Sequence, residues 1–320
     1  MPRILVVAPN WIGDALMAQP LLARLHQKIP ALEIDVLAPE WVAPVARRMP
    51  EVEEVIAVPF RHKALQLAAR WKIGRELKAR GYDQAMVLPN TWKSALVPFF
   101  AGIPIRVGYV GESRYGLLNR THRKSDASMA LHYARLAEPP GSELKEPLPA
   151  PRLEADPQEI ETAKRRFGVR ERYVVFCPGA EYGPAKRWPY FGELSRRLHA
   201  QMVILGAAGD REAAQGIIGH NLVGETTLDQ AIALIAGADY VVTNDSGLMH
   251  VAAALGRPQL ALFGSSSPEH TPPLSPAARV LWLRVECSPC FERVCPLGHF
   301  RCMREMTVET VLKEIQNLSA

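Results

Sequence analysis

The feature that most constrains this chain is an alternation, kept almost from end to end, of apolar runs of strand length with segments whose apolar residues recur at helical spacing. Runs that are apolar throughout belong to strands buried on both faces, and the helices between them supply the cover. The pattern predicts an α/β fold built on parallel sheets. Strands are expected at 4–8, 33–37, 55–58, 84–88 and 105–107, with helices at 21–28 and 64–80, the second ended by Gly81 after Lys78 and Arg80. Strand-like runs restart at 173–177, 201–205, 240–243, 259–263 and 280–283, with helices at 191–199, 228–236 and 248–255.

Between these halves lies Glu138-Pro-Pro-Gly-Ser-Glu143, followed by Pro147, Pro149 and Pro151, a stretch of breakers without periodicity. At 320 residues the chain is long enough for two domains. The expected division is 1–155 and 156–305, each a doubly wound unit, with a last segment, 306–320, carrying a helix at 308–318. No apolar stretch is long enough to span a bilayer, since the longest, 95–105, is broken by Pro98 and Pro104. The apolar run after Arg3 is too short for a secretory signal, so a cytoplasmic protein is expected. A net charge of +5 and a pI near 9.0 suit anionic partners. The 7% aromatic content shows no basic and aromatic interleaving, which argues against a nucleic-acid partner.

Ligands of open α/β sheets gather beyond the carboxyl ends of the strands, so the loops that follow strands carry the chemistry. The first such loop, Pro9-Asn10-Trp11-Ile12-Gly13-Asp14, leads into a helix whose regular part must start only a few residues before Pro20. Asp14 then has two readings, a helix N-cap or a general base. The second loop, 178–189, holds Gly179, Gly183, Lys186 and Arg187 before a helix start, the make-up of either a phosphate grip or a basic surface loop. The third, Asn244-Asp245-Ser246-Gly247-Leu248-Met249-His250, offers helix N-terminal N–H groups to a diphosphate, with His250 one turn in. It reads equally as a plain cap followed by a half-buried histidine.

No Asp-x-Asp pair occurs, so the usual acidic clamp for a diphosphate-bound metal is missing and Lys186 with helix N-termini must supply the positive charge. No Gly-x-Ser-x-Gly elbow occurs either. Cys287-x2-Cys290-x4-Cys295-x6-Cys302, with His299 inside, has knuckle-like spacing without the intervals of a standard zinc ribbon. A closed structural zinc site and a loop of free thiols are both open readings.

Asn10-Trp-Ile-Gly-Asp14, Lys186-Arg-Trp-Pro189, the 244–250 loop and Leu262-Phe-Gly264 together resemble the bacterial lipopolysaccharide heptosyltransferases of glycosyltransferase family 9, over nearly the whole chain. Cys-Ser-Pro-Cys290 and Cys295-Pro-Leu-Gly-His make the resemblance one to the type II members. It implies a GT-B architecture, two Rossmann-like domains facing a cleft, with the C-terminal helix crossing back to the first. It also implies inverting, metal-independent transfer of heptose from ADP-heptose to the first heptose of the Kdo2-lipid A core, by a monomer visiting the inner membrane face. By position, Asp14 matches the general base and Lys186 the residue that stabilises departing ADP. Gly13, Asp245, Ser246, Gly247 and His250 match donor contacts, Asp210 the ribose and Thr226 the adenine. Glu181 and Tyr182 stand where other members carry a threonine pair. Arg61, Lys63, Arg106, Arg114 and Arg120, all in the first domain, are expected to meet the anionic acceptor. The alternatives are a type I or III core acceptor, or a nucleotide-sugar epimerase of the same fold.

Overall fold

The computed structural model describes residues 1–60, 64–124 and 128–318. Two units divide at Ala150–Pro151, within the breaker-rich stretch and slightly ahead of the expected boundary. In the first unit β1 (Arg3–Val7), β2 (Glu33–Pro39), β3 (Glu54–Val58), β4 (Gln84–Val87), β5 (Ile105–Tyr109) and β6 (Arg120–His122) form one parallel sheet in the order β3-β2-β1-β4-β5-β6. In the second, β7 (Val174–Cys177), β8 (Met202–Ile204), β9 (His220–Asn221), β10 (Tyr240–Asn244), β11 (Gln259–Phe263) and β12 (Ala278–Trp282) are ordered β12-β11-β10-β7-β8-β9. Counted from its own first strand, each sheet runs 3-2-1-4-5-6, the doubly wound order.

The central strands explain the continuous apolar runs. Val6 lies between Val36 and Met86, and Val242 between Phe176 and Leu260, all buried. β6 and β9 escape sequence reading because they are short edge strands of polar residues, Arg-Thr-His and His-Asn. After β1 the chain makes two helices, Ile12–Met17 and Gln19–Lys28, joined at Ala18, which sets Pro20 in the first turn of the second, where its missing N–H does no harm. Gly81 ends its helical segment in the left-handed conformation, at φ 66°.

The last helix, Val308–Gln316, is capped by Thr307, whose side chain accepts from the Thr310 N–H. Its apolar face, Val308, Val311 and Ile315, packs into the second unit's core with Trp188, Phe191 and Leu194. Among the described residues, no helix is long and apolar enough to cross a membrane.

Candidate active site

Strand order reverses between β1 and β4 in the first unit and between β7 and β10 in the second, and the crevice at such a point is where doubly wound sheets take ligands. All three candidate loops follow one of these strands. In the first unit the N-cap of the Ile12–Met17 helix is Trp11, and its side chain makes no capping bond. Asp14 sits inside the first turn rather than at the cap, so the N-cap reading is corrected: a carboxylate there gains from the helix dipole. Its charge is felt by the buried Tyr133 of the Met129–Ala134 helix, whose phenol is pushed well above its ordinary value by burial first and by Asp14 second. Gly13 is half-buried beside it. The Trp41 indole donates to the Asn10 carbonyl at 2.8 Å, tying the loop after β2 to the Asp14 loop. Trp41 also lines an open cleft of about 560 Å³ with Glu40, Pro59, Phe60, Ala64 and Gln66.

The expected acceptor residues separate. Arg114 is 2% exposed and donates to the carbonyls of Tyr109, Pro89 and Thr91 and to Asn90 Oδ1, bracketing the chain after β4 and β5. Arg106 is held by the carbonyls of Leu117 and Ile103 at 2.6 Å and of Gly116 at 3.2 Å. Arg114 is thereby corrected to a structural role, its buried guanidinium bonded through all three nitrogens, while half-exposed Arg106 uses three of its five N–H groups on these carbonyls. Arg120 is exposed on β6. Arg61 and Lys63 lie outside the described residues.

In the second unit, the loop after β7 and the loop after β10 meet. Asn244 joins them, its Nδ2 donating to the Pro178 carbonyl at 2.7 Å and its Oδ1 accepting from the Trp188 N–H at 3.1 Å. Lys186 Nζ lies 2.5 Å from Asp245 Oδ2, which also accepts from Ser266 Oγ at 2.5 Å. Ser246 is the N-cap of the Gly247–Ala254 helix and its hydroxyl makes no capping bond, so the first-turn N–H groups remain available to a ligand. Buried His250 is held neutral, its pKa down to about 4, by burial first; Asp245 pulls the value up and Lys186 pushes it down. A lysine, helix N-terminal N–H groups and an uncharged imidazole thus converge, which is chemistry suited to a phosphate leaving group.

Asp210, at the end of the 3-10 turn Ala208–Asp210 beyond β8, accepts from the Ala207 N–H at 3.0 Å and lies 3.6 Å from Arg187. Gly179 lets it in: a Cβ there would fall 2.1 Å from the Asp210 carboxyl carbon. Thr226 is half-buried just ahead of Thr227, which caps the Leu228–Ala236 helix. Glu181 is exposed. The Tyr182 hydroxyl donates to the Phe291 carbonyl, and its ring lies under both Lys186, at 4.8 Å, and Arg293, at 5.0 Å. Tyr182 is therefore a platform for cations. Ser266 was not singled out by sequence reasoning, and Asn244 and Arg187 were named within their loops without the partners the structure gives them.

The cysteine segment packs on this same loop. The Arg293 carbonyl accepts from the Ala185 N–H at 3.1 Å, and a Cβ on Gly183, at φ 149°, would fall 2.4 Å from that carbonyl oxygen. All four cysteines are free thiols, and among the described residues no group of three or more His, Cys, Asp or Glu is arranged to hold a metal ion. The structural zinc reading is corrected on that ground: Cys302 turns into the second unit's core, and Cys295 accepts from the Phe300 N–H at 3.4 Å. Burial first, then the neighbouring Cys287, Cys290 and Cys295, push the Cys302 thiol up to about 11. At Cys295 burial opposes ionisation, but hydrogen bonds from the backbone of Phe300, Leu297, Gly298 and His299 outweigh it and hold the thiol below its ordinary value.

This arrangement, two Rossmann-like units with one candidate base loop and one diphosphate-suited nest, defines a GT-B glycosyltransferase. The sequence profile of glycosyltransferase family 9 (heptosyltransferase) matches residues 70–301, and the chain belongs to that family. It is 44% identical to lipopolysaccharide heptosyltransferase 2 of Escherichia coli (strain K12), covering 99% of this chain and 98% of the relative. It is 42% identical to lipooligosaccharide heptosyltransferase 2 of Haemophilus influenzae, covering 99% of both. The solved structure of E. coli ADP-heptose lps heptosyltransferase II superposes with a TM-score of 0.87 at 42% identity, over 99% of this chain and 98% of that one. Within the family its likeness is to the type II enzymes of lipopolysaccharide core synthesis.

Proposed function

We propose that this chain transfers L-glycero-D-manno-heptose from ADP-heptose to the first heptose of the heptosyl-Kdo2-lipid A core, with inversion and without a metal, as a monomer at the inner membrane face. In this reading Asp14 takes the proton from the acceptor hydroxyl as that oxygen bonds to the anomeric carbon. The bond from that carbon to the ADP phosphate oxygen breaks in the same displacement, and its electron pair leaves with ADP. Gly13, Glu181, Tyr182, Asp210, Thr226, Asp245, Ser246, Gly247 and His250 are assigned to the donor. Arg61, Lys63, Arg106 and Arg120 remain assigned to the acceptor.

The observation that carries this reading is the Lys186, Asp245 and Ser246 arrangement at the reversal point of the second sheet. A lysine held 2.5 Å from a carboxylate can exchange that partner for a diphosphate whose charge grows as the bond breaks, which favours the transition state over the ground state. The sequence lacks an Asp-x-Asp clamp, in keeping with charge neutralisation by side chains and helix N-termini. The 560 Å³ cleft beside Trp41 suits the acceptor sugar, since an aromatic wall offers stacking to a pyranose face.

The test is ADP release from ADP-heptose with Kdo2-lipid A, with the same acceptor bearing one heptose, and with none. Turnover confined to the monoheptosylated acceptor is expected. Turnover on bare Kdo2-lipid A would reassign the acceptor, and altered free sugar without any acceptor would mean an epimerase.

A further inference from the structure

The helix Leu67–Leu77 divides cleanly by face. Arg70, Gly74 and Leu77 are buried, and a Cβ on Gly74 would fall 2.6 Å from Phe100 Cβ, so this side is fixed against the Leu96–Phe100 helix. The opposite side carries Leu67, Trp71 and Arg75 at successive helical turns, with Lys78 one turn further and Ala68 and Lys72 alongside. Leu67 is 49% and Trp71 54% exposed, and exposed Leu65 lies just ahead of them. Glu76, the one acidic residue of the helix, falls at the far edge of this stripe. Among the described residues no ion pair engages Lys72, Arg75 or Lys78; the Arg75 guanidinium lies 6.0 Å from the Trp71 ring centroid.

We propose that this stripe is a docking surface for an anionic lipid bilayer, with Leu65, Leu67 and Trp71 entering the headgroup boundary and Lys72, Arg75 and Lys78 meeting lipid phosphates. Tryptophan between aliphatic and cationic neighbours is the residue pattern of a membrane interface. The long basic side chains can lay their apolar stems along the boundary and keep their charges at phosphate level. A second copy of the chain is the poorer occupant: a two-fold contact through this face would set the three unpaired cations against their own kind. The biological purpose of this surface rests on the lipid-linked acceptor proposed above, whereas the binding itself is measured without turnover.

The experiment is sedimentation of the full chain with vesicles of phosphatidylcholine alone and of phosphatidylcholine with phosphatidylglycerol, each at low and high salt. Binding is expected only with phosphatidylglycerol and is expected to weaken with salt. Each of Lys72→Gln and Arg75→Gln should weaken it about fivefold. Leu67→Ser with Trp71→Ser should weaken it on both salt arms, while circular dichroism and ADP binding stay as in the parent. Equal binding to both vesicle types, or binding untouched by all four substitutions, overturns the proposal. A dimer in light scattering that these substitutions dissolve would assign the face to a second copy and overturn it as well. Vesicle binding without turnover on any acceptor would leave this surface standing and remove the catalytic reading.

Discussion

The two units share one strand order but differ in how they place tryptophan and in what holds the cations near their candidate loops. In the first, Trp11, Trp41, Trp71 and Trp92 are 41% to 54% exposed; in the second, Trp188 is 2% exposed, its indole donating to the Met306 carbonyl at 2.8 Å. Around the second unit's candidate site, cations face carboxylates: Lys186 with Asp245, Arg187 with Asp210. In the first, Arg106 and Arg114 face backbone carbonyls, which engage their N–H groups without cancelling their charge. One scaffold therefore holds a nest of paired charges set for a small charged ligand, while the other turns tryptophans outward and, along one helix, the exposed cations Lys72, Arg75 and Lys78.

The largest effect expected from this division is kinetic. Asp14→Asn should lower kcat by about 10²–10⁴-fold while the affinity for ADP changes less than about twofold, because the base belongs to the acceptor half of the reaction. Lys186→Met should also lose turnover, by about 10²–10³-fold, and should in addition perturb ADP binding. Steady-state ADP release and calorimetric titration with ADP measure the two. Equal loss of donor affinity in both variants would break the assignment of separate tasks to the two units.

A second contrast is in stability. Trp188 packs edge-on against Phe191, with ring centroids 5.2 Å apart, in the core that also holds the last helix. Trp188→Ala should cost about 3–5 kcal/mol in urea unfolding. Trp71→Ser removes an exposed ring and should stay within about 0.5 kcal/mol. Similar losses at both positions would mean that the first unit's tryptophans are structural after all.

Much of this was legible in the sequence because buried parallel strands write themselves as apolar runs. β11 was expected over the same residues that form it, and the 3-2-1-4-5-6 order places the loops holding Asp14, Lys186 and Asp245 at the reversal points. What could not be read was how polar groups choose partners across long stretches of chain. Arg106 and Arg114 look like surface cations in sequence, yet carbonyls from neighbouring loops claim them. Four cysteines look like a metal site, yet Cys302 serves the core. Asn244 is unremarkable until its amide is found clasping both Pro178 and Trp188, chain segments far from it in sequence.

The finest test concerns protons, since both units bury histidine, His122 and His132 in the first and His250 in the second. His122 is held below its ordinary value by burial first and then by Arg135 and Arg120. His250 in the second is down to about 4 from an ordinary 6.5, again by burial first, with Lys186 adding to the shift and Asp245 resisting it. Below pH 6.5 the unfolded chain takes up a proton at His250 that the folded chain refuses until near pH 4. The stability tied to the neutral imidazole is thus whole above pH 6.5 and is lost as pH falls toward 4, by up to about 3 kcal/mol for a shift of this size. Urea unfolding of His250→Gln and parent at pH 7.5, 6 and 5 measures the difference. The variant's stability should fall less steeply with acid than the parent's, and ADP, whose charge adds to that of Asp245, should favour the imidazolium and flatten the parent's slope. Parallel slopes without ADP would show that His250 is solvated when folded, and the nest around Lys186 would then be open to water.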